Sequence, residues 1–300
     1  MSLVDLKRKS INEILFDLVV GISCALVFLI VAYPLFFIVI ASVSDSTLVS
    51  RGEVVLYPKG FSVFGYNQIF HDARIWTGYW NTFIYTFAGT AVNLVFTLPA
   101  AYVLARREFL ARRFLMLFFV FTMFFSGGLI PTYVLMNGLK LTNNMLVFII
   151  PFCVNVFNLI ITRTFIEHSI PGELYEAASM DGCSHFGFFF KVVLPLSKAV
   201  ISVIGLYYMV AHWNDFFTGL IYIRTNKLQP LQIVLRDILL TNQVFSQGAG
   251  AGGAAGGYAQ KYADQVKYAV IIVSTVPILV VYPFIQKYFE KGVMIGSIKG

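Results

Sequence analysis

Between its fourth and fifth apolar blocks the chain reads Glu176-Ala177-Ala178-Ser179-Met180-Asp181-Gly182 and, nine residues later, Val192-Val193-Leu194-Pro195. The first stretch favours a helix, because alanine and glutamate are good helix formers. Gly182 is expected to end that helix with a positive φ, and Leu194-Pro195 is expected to break the chain before the next apolar block. A short polar helix is therefore predicted between two long apolar blocks.

The residues before this stretch predict how the helix begins. Ser169 is expected to cap it, and Pro171 is expected in its first turn, where the missing N–H of proline has no cost. Glu173 suits the positive end of the helix dipole. Ala177 and Ala178 are expected to form a small, flat face that another protein is able to approach closely. The other interpretation is an ordinary surface helix between two spans.

The composition places most of the chain in lipid. It is 58% hydrophobic and 12% charged, with a mean hydropathy of +0.77, whereas soluble domains carry about a quarter charged residues. The net charge of +7 is not arranged as one basic stripe, which a nucleic-acid surface would need. The basic residues stand at the ends of apolar blocks, so membrane topology explains them and no nucleic-acid partner is expected.

Six apolar runs are each long enough to cross a bilayer, which takes about 20 residues. In lipid every backbone polar group must be paired within its own segment, so each run is predicted to be a helix. The expected fold is an all-α integral membrane protein with a transmembrane domain over residues 14–300. The predicted spans are 15–42, 79–105, 114–137, 145–163, 199–223 and 268–287.

Basic residues predict the orientation of these spans. Lys7-Arg8-Lys9 precedes the first span, within an N-terminal segment 1–13, and four arginines crowd the connection between the second and third spans. Both places are expected in the cytoplasm. Six spans then put both termini and the loop 167–198 on the cytoplasmic side, and segment 224–267 outside. The four arginines are Arg106, Arg107, Arg112 and Arg113.

The outer segment 224–267 combines an amphipathic helix with a low-complexity tract. Apolar residues at helical spacing predict a helix over Leu231–Leu240. The Gly/Ala-rich tract 248–257 contains the pattern GxGxxG. No strand precedes it, so a flexible linker is the better interpretation and a dinucleotide site is not expected.

Signatures of catalysis and of metal binding are missing from the sequence. It contains neither GxxxxGK[ST] nor HExxH, and its four histidines and three cysteines are scattered. We therefore expect no cofactor or metal on this chain and no enzyme activity of its own. If transport is driven by ATP, the ATPase must be a separate polypeptide that binds ATP and Mg.

The fifth span carries the sequence His212-Trp213-Asn214-Asp215. Ionisable groups deep in a span cost several kcal/mol unless they face water or a partner, so these four residues are candidates for lining a translocation path. An alternative of equal weight is that His212 and Asp215 hold helices together or lie near the outer interface. Trp213 is also a common interface anchor.

The loop resembles the cytoplasmic coupling loop in permease subunits of bacterial ATP-binding-cassette (ABC) importers. The family pattern is Glu-Ala-Ala, three residues, Gly, nine residues, Ile, one residue, Leu-Pro, and only Val192 departs from it. Trp213–Ile223 is similar to the fifth span of carbohydrate permeases. The tail Lys291–Gly300 resembles a C-terminal peptide that in some members reaches toward the ATPases.

The resemblance implies the partners and the site residues. The partners would be a second related permease, two ATPase subunits and an extracytoplasmic solute-binding protein, all at a bacterial cytoplasmic membrane that the chain crosses several times. The implied cycle is alternating access driven by ATP. The tail residues that would face the ATPase are Gly296 and Lys299. The implied coupling residues are Glu173, Glu176, Ala177, Ala178, Asp181, Gly182, Leu194 and Pro195.

The resemblance is strongest to permeases for oligosaccharides released from polysaccharides, including uronate-rich ones such as alginate or pectin fragments. Two rival classes remain. One keeps the importer architecture with a non-sugar cargo such as an amino acid, a peptide or a phosphorylated solute. The other is a transporter or channel driven by an ion gradient, which would need an ion-coupling site that the sequence does not offer. An intramembrane enzyme would need paired catalytic residues, and the spans contain none.

Overall fold

The structure is a computed structural model that describes residues 10–248, 266–281 and 283, and its regular elements within those ranges are all helical. Two 3₁₀ turns lie at Met145–Phe148 and Asn226–Leu228, and a π-helical turn lies at Phe189–Val193. The helices are α1 (Ile11–Ser42), α2 (Ser46–Ser50), α3 (Phe64–His71), α4 (Ala73–Ala105), α5 (Arg112–Phe124), α6 (Leu129–Gly138), α7 (Val156–Ser169), α8 (Gly172–Met180), α9 (His185–Phe188), α10 (Leu194–Leu196), α11 (Lys198–Trp213), α12 (Phe216–Tyr222), α13 (Leu231–Gly248) and α14 (Val266–Val281).

Contacts divide the described residues into two compact units. The first contains residues 10–71, 238–248 and 266–273, and the second contains residues 72–237, 274–281 and 283. Most of the predicted Gly/Ala linker 248–257 lies outside the described residues, as do Gly296 and Lys299 of the tail.

The long helix of the first unit, α1, covers the first predicted span. It begins where the backbone N–H of Ser10 donates to the Glu13 carboxylate at 2.8 Å. Large apolar side chains along it remain exposed, including Phe16, Phe28 and Leu29. A helix that is apolar all round is suited to lipid rather than to water. Its C-terminal end contributes Ile40 and Ala41 to a small buried cluster.

Helix α4 forms the centre of the second unit and packs against α7 and α11. It begins at Ala73, earlier than the predicted span at 79, because Asp72 caps it and accepts from the backbone N–H of Arg74 at 2.9 Å. The hydrogen bond from the Arg74 guanidinium lowers the pKa of the Asp72 carboxyl, so the cap remains negatively charged at the positive end of the helix dipole.

One face of α4 carries a buried stripe of mostly small polar residues. Members of the stripe recur every three or four positions, which keeps them on one side of a helix. Small side chains let neighbouring helices approach closely, so this stripe explains how α11 packs onto α4. The stripe consists of Thr82, Thr86, Thr90, Asn93 and Thr97.

The third predicted span, 114–137, is not one continuous helix. It is divided into α5 and α6, whose axes differ by 112°. The break falls at Gly127-Gly128, and Gly128 adopts a φ of +84°, a conformation that glycine takes without steric cost. The apolar run alone predicted one helix because hydropathy does not register a change of chain direction.

The fourth and fifth predicted spans are also interrupted. In the fourth span, 145–163, a 3₁₀ turn is followed by α7, which begins only at Val156. It begins there because Asn155 caps it and accepts from the backbone N–H of Asn158 at 3.1 Å. In the fifth, 199–223, α11 ends at Trp213 and α12 begins at Phe216. The polar side chains at both breaks take up backbone donors that a continuous helix would have paired itself.

Within the described residues, α1 and α4 are each long and apolar enough to cross a membrane. The bent pairs α5–α6 and α9–α11 meet the same criterion when each pair is taken as one span. Helix α14 is a shorter apolar helix that covers part of the predicted sixth span, 268–287. The predicted amphipathic helix at 231–240 is confirmed as the first part of α13, with Leu231, Val234 and Leu235 buried.

Candidate functional sites

Helix α8 is the predicted loop helix, but it begins differently from the prediction. Ser169 is the last residue of α7 and does not cap α8. Pro171 occupies the N-cap position with an extended ψ of 145°, so it lies before the first turn rather than in it. The physical reason is that a residue before proline avoids the helical region, so Ile170 separates the two helices.

Helix α8 has no fully buried residue, and in the part of the chain that the structure describes one of its faces is exposed. Glu173, Glu176 and Ala177 are exposed, and Glu173 lies in the first turn as expected. Ala178 is half-buried against the core formed by α4, α7 and α9. The predicted pairing of Ala177 with Ala178 in one open face is therefore wrong, because residues one apart point in different directions on a helix.

The C-terminal end of α8 follows the prediction. Gly182 has a φ of +76°, and its N–H donates to the Ser179 carbonyl at 3.0 Å. The N–H of Cys183 donates to the Ala178 carbonyl at 2.9 Å. This pair of hydrogen bonds is the Schellman motif, which satisfies the last carbonyls of the helix. Asp181 is the exposed C-cap residue.

Leu194-Pro195 does not break the chain. The helical path continues from His185 to Leu196 and bends by 80° only at Ser197, before α11. The π-helical turn Phe189–Val193 lies immediately before Leu194-Pro195. A wider turn at this point accommodates a residue that has no N–H to donate to the preceding carbonyls.

A cluster of aromatic and cationic side chains attaches α8 to the end of α4. The Arg106 guanidinium lies 3.4 Å from the centroid of the Tyr175 ring. The Tyr175 ring stacks on His185 at 5.1 Å and meets Phe188 edge-on at 5.3 Å. Phe188 is 1% exposed, so the cluster continues into the core.

An ionic group lies beside this cluster. Arg163 pairs with Glu167 at 3.0 Å and donates to the Leu104 carbonyl at 3.1 Å, which connects α7 to α4. A cavity of about 510 Å³ opens here, and six of its lining residues are charged. They are Arg106, Arg107, Glu108, Glu167, Glu173 and Glu176.

The fifth-span motif forms a second site, and its first two residues are helix contacts. His212 Nε2 lies 2.6 Å from Asn93 Oδ1, and the Asn93 amide also donates to the Cys153 carbonyl at 2.8 Å. Trp213 is 6% exposed and donates from Nε1 to the Ser274 carbonyl at 3.0 Å. His212 and Trp213 thus hold α11 to neighbouring segments.

Asn214 and Asp215 occupy the break between α11 and α12. The Asn214 amide donates to the Val210 carbonyl at 2.9 Å, and the Asp215 carboxylate accepts from the Thr218 N–H at 3.0 Å as the cap of α12. Both residues line a cavity of about 420 Å³, together with His212. Other polar and aromatic lining residues include Asn93, Asn155, Tyr208, Phe148, Phe152 and Tyr222.

Sequence reasoning missed the polar partners of this cavity. The Tyr208 hydroxyl lies 2.7 Å from Thr97 Oγ1 and accepts from the Asn155 N–H at 3.0 Å. A signal was present in the four-residue spacing of threonines along the second span, with Asn93 in the same stripe. Among the described residues no cluster of His, Cys, Asp and Glu could hold a metal ion.

The described residues combine long apolar helices, an exposed polar loop helix and a polar cavity between broken helices, an arrangement typical of membrane permeases. The chain is a member of the family described as "Binding-protein-dependent transport system inner membrane component", which it matches over residues 73–295. This membership confirms the resemblance to importer permeases.

Relatives with curated descriptions include two proteins of Bacillus subtilis strain 168. The "Polygalacturonan/rhamnogalacturonan transport system permease protein YtcP" is 38% identical over 286 residues, which cover 95% of this chain and 99% of that protein. "Protein LplC" is 38% identical over 267 residues and 89% of each chain.

A solved structure also resembles the fold. It is described as the "Crystal structure of a bacterial ABC transporter involved in the import of the acidic polysaccharide alginate", with a TM-score of 0.81 and 31% identity. The match covers 94% of this chain and 99% of that one.

Proposed function

We propose that this chain is the permease subunit of an ATP-driven importer and that α8 is the helix through which an ATPase subunit drives it. The observation that carries the proposal is the exposed face of α8 on a permease fold. Glu173, Glu176 and Ala177 are open to a partner, while Tyr175 and Ala178 anchor the helix to the core. A helix held on one side and free on the other is suited to transmitting the motion of a bound protein.

The proposed topology has six spans with both termini in the cytoplasm, the loop 167–198 in the cytoplasm and the segment 224–267 outside. The bent helices count as spans in this scheme, and broken helices in transporters typically surround the transport route. A test uses single cysteines at Met180, which is 90% exposed, and at Lys227. In cells, a membrane-impermeant maleimide should label only the cysteine at Lys227. If the cysteine at Met180 were labelled in intact cells, the loop 167–198 would lie outside and the proposed orientation would be wrong.

The proposed partners are a second related permease, two ATPase subunits that bind ATP and Mg, and an extracytoplasmic solute-binding protein. In this scheme ATP binding closes the ATPases and moves α8, and the spans switch from facing inward to facing outward. This chain would provide the translocation path and the helix to which an ATPase subunit attaches. ATP hydrolysis would take place on the ATPases. The tail residues Gly296 and Lys299 are proposed to face the ATPases.

The proposed cargo is an oligosaccharide, and acidic fragments of polysaccharides are the preferred class. The support comes from the relatives, whose descriptions name polygalacturonan, rhamnogalacturonan and alginate. The cavity beside Asn214 and Asp215 combines amide and hydroxyl groups with aromatic rings, which suits a ligand that is both hydroxylated and ring-shaped.

The decisive experiment is the ATPase activity of the complete reconstituted importer with its binding protein, screened against neutral and uronic oligosaccharides. Stimulation by one saccharide class would establish both coupling and cargo. An intact complex that no saccharide stimulates would overturn the carbohydrate cargo and favour an amino acid, a peptide or a phosphorylated solute.

A further inference from the structure

One asparagine, Asn143, joins its own loop to the segment that begins at Tyr222, a residue that lines the 420 Å³ cavity. The N–H of Asn143 donates to the Tyr222 carbonyl at 2.8 Å, and its side-chain amide donates to Thr225 Oγ1 at 2.9 Å. Its Oδ1 accepts from the N–H groups of Arg224 and Thr225 at 3.1 Å and 3.0 Å. Asn143 reaches this position with a φ of +54°, which asparagine tolerates better than most residues. The backbone of Arg224 is therefore held in place by a specific set of hydrogen bonds.

The backbone fixed in this way carries an exposed guanidinium. Among the residues the structure describes, no carboxylate lies within ion-pair distance of Arg224. Arg224 Nη2 lies 3.5 Å from the Tyr133 hydroxyl, which is a long contact. The Tyr133 ring in turn stacks on Tyr222, with centroids 5.8 Å apart and planes inclined by 10°.

Tyr222 connects this arrangement to the cavity because its ring is part of the lining. Arg224 is therefore two residues after Tyr222, whose ring a ligand in the cavity would touch. A guanidinium offers two parallel N–H donors that match a carboxylate, which makes arginine the usual residue for planar recognition of that group. The Tyr222 ring, which is part of the lining, offers an apolar face on which the C–H side of a sugar ring is able to pack.

The other charged groups near the cavity do not compete for this role. Asp215 is the one carboxylate among the described lining residues, and it is directed to the N-terminus of α12 through the Thr218 N–H. His212 is held by Asn93. Lys140 and Lys227 lie in the same two loops and are exposed, so they add positive potential without a fixed geometry.

We infer that Arg224 is a specificity-determining residue that binds the carboxylate of an acidic sugar unit at the rim of the cavity. This inference rests on the proposed function, since it takes the cavity to be part of the route for saccharides. It assigns the preference for acidic cargo to one side chain of the permease. Recognition by the solute-binding protein would come before this step and would be independent of it.

The test measures uptake by the complete reconstituted importer, with the unaltered binding protein, for two cargoes of equal length. One is an oligogalacturonate and the other is its methyl ester, which has no charge. We expect Arg224→Gln to lower uptake of the oligogalacturonate by about tenfold, the equivalent of one lost charged hydrogen bond, and to leave uptake of the ester within about twofold of the unaltered importer. Arg224→Lys should retain an intermediate rate, because it keeps the charge but loses the paired donors.

Lys227→Gln is the matched control, since it removes the same charge from an exposed side chain three residues away. We expect it to have little effect on either cargo. The inference would be overturned if Arg224→Gln lowered the uptake of both cargoes equally or of neither. It would also be overturned if Lys227→Gln had the same effect on uptake as Arg224→Gln. Failure of the unaltered complex to transport any saccharide would instead contradict the proposed function itself.

Discussion

The Arg106 guanidinium covers the face of Tyr175 at 3.4 Å from the ring centroid, and this contact joins the end of the longest helix in the second unit to the loop helix. Arg106 is the C-cap residue of α4, and Tyr175 lies in the middle of α8. In the proposed scheme a movement of α8 would be passed through this contact to α4, whose polar stripe contacts α11. The contact gives the proposed coupling route a defined first step.

The first prediction concerns this step. Tyr175→Leu removes the ring under Arg106, a cation–π interaction worth about 1 kcal/mol or more, which is roughly a fivefold change in the population of a two-state contact. We expect the complex to assemble but to hydrolyse several times more ATP per molecule transported. Tyr175→Phe keeps the ring and should stay close to the unaltered ratio. An unchanged ratio for Tyr175→Leu, or equal defects in both variants, would contradict this route.

The second prediction concerns attachment of the ATPase. Glu176→Lys reverses a charge on the exposed face of α8, where no core contact is disturbed. The chain should insert normally and yield less ATPase when the complex is purified. Ser179→Lys, also exposed on α8, is the control for simply adding a lysine to this helix. Normal recovery of the complex together with normal transport by Glu176→Lys would refute the assigned role.

The third prediction concerns the end of α8. Gly182→Ala places a side chain at a φ of +76°, which costs about 1–2 kcal/mol for a non-glycine residue. An added Cβ would meet no atom within 4 Å, so the cost comes from the backbone alone. We expect faster proteolysis of the loop 167–198 and weaker coupling. Gly172→Ala, which has equally open surroundings and no positive φ, should be neutral.

The fourth prediction concerns the packing of α11 on α4. An added Cβ at Gly89 would lie 2.5 Å from His212 Cε1 and Nε2, so Gly89→Ala must displace the imidazole from Asn93. The melting temperature of the purified chain should fall by an amount equivalent to about 1–3 kcal/mol. At Gly205 on α11 the atom nearest to an added Cβ is 3.8 Å away, so Gly205→Ala should not lower the melting temperature. Equal melting temperatures for both variants would show that the close approach at Gly89 is absent.

The fifth prediction concerns the break between α11 and α12. Replacing Asn214 and Asp215 together by Leu removes the cap of α12, at a cost of about 1 kcal/mol, and removes two polar groups from the cavity lining. We expect lower uptake and altered cargo preference in the reconstituted importer. Asp215→Asn keeps an oxygen that caps α12 and separates the effect of the charge from that of the cap. If the Leu pair leaves uptake and preference unchanged, the two residues do not line the path.

The loop helix could be predicted largely from its own residues, because its end depends on local chemistry. Gly182 provides the positive φ, and the Schellman hydrogen bonds need only neighbours in the chain. Its start was predicted wrongly. Helix α7 extends through Ser169, and Pro171 keeps the backbone of Ile170 out of the helical region. The N-cap of α8 is therefore Pro171 and not Ser169.

The cavity could be predicted only in part. His212 and Asp215 were recognisable as polar residues in an apolar run, but their roles differ in the structure. His212 is bound to Asn93, which is 119 positions earlier in the chain, and Asp215 caps a helix that hydropathy had merged with α11. Periodicity within one segment carries no information about which residue of another segment lies opposite.

The sequence by itself determined that the chain is helical and apolar, that a short polar helix separates two of its apolar blocks, and where that helix ends. These properties arise from hydropathy and from hydrogen bonds between near neighbours. Only the tertiary structure decided that the third, fourth and fifth predicted spans are broken, that Arg106 covers Tyr175, and that Asn143 binds the backbone of Arg224. The two contacts join residues tens of positions apart, and they form only when packing brings separate segments together. The breaks have a local cause, in Gly128 and in the caps at Asn155 and Asp215, but hydropathy does not register a change of chain direction.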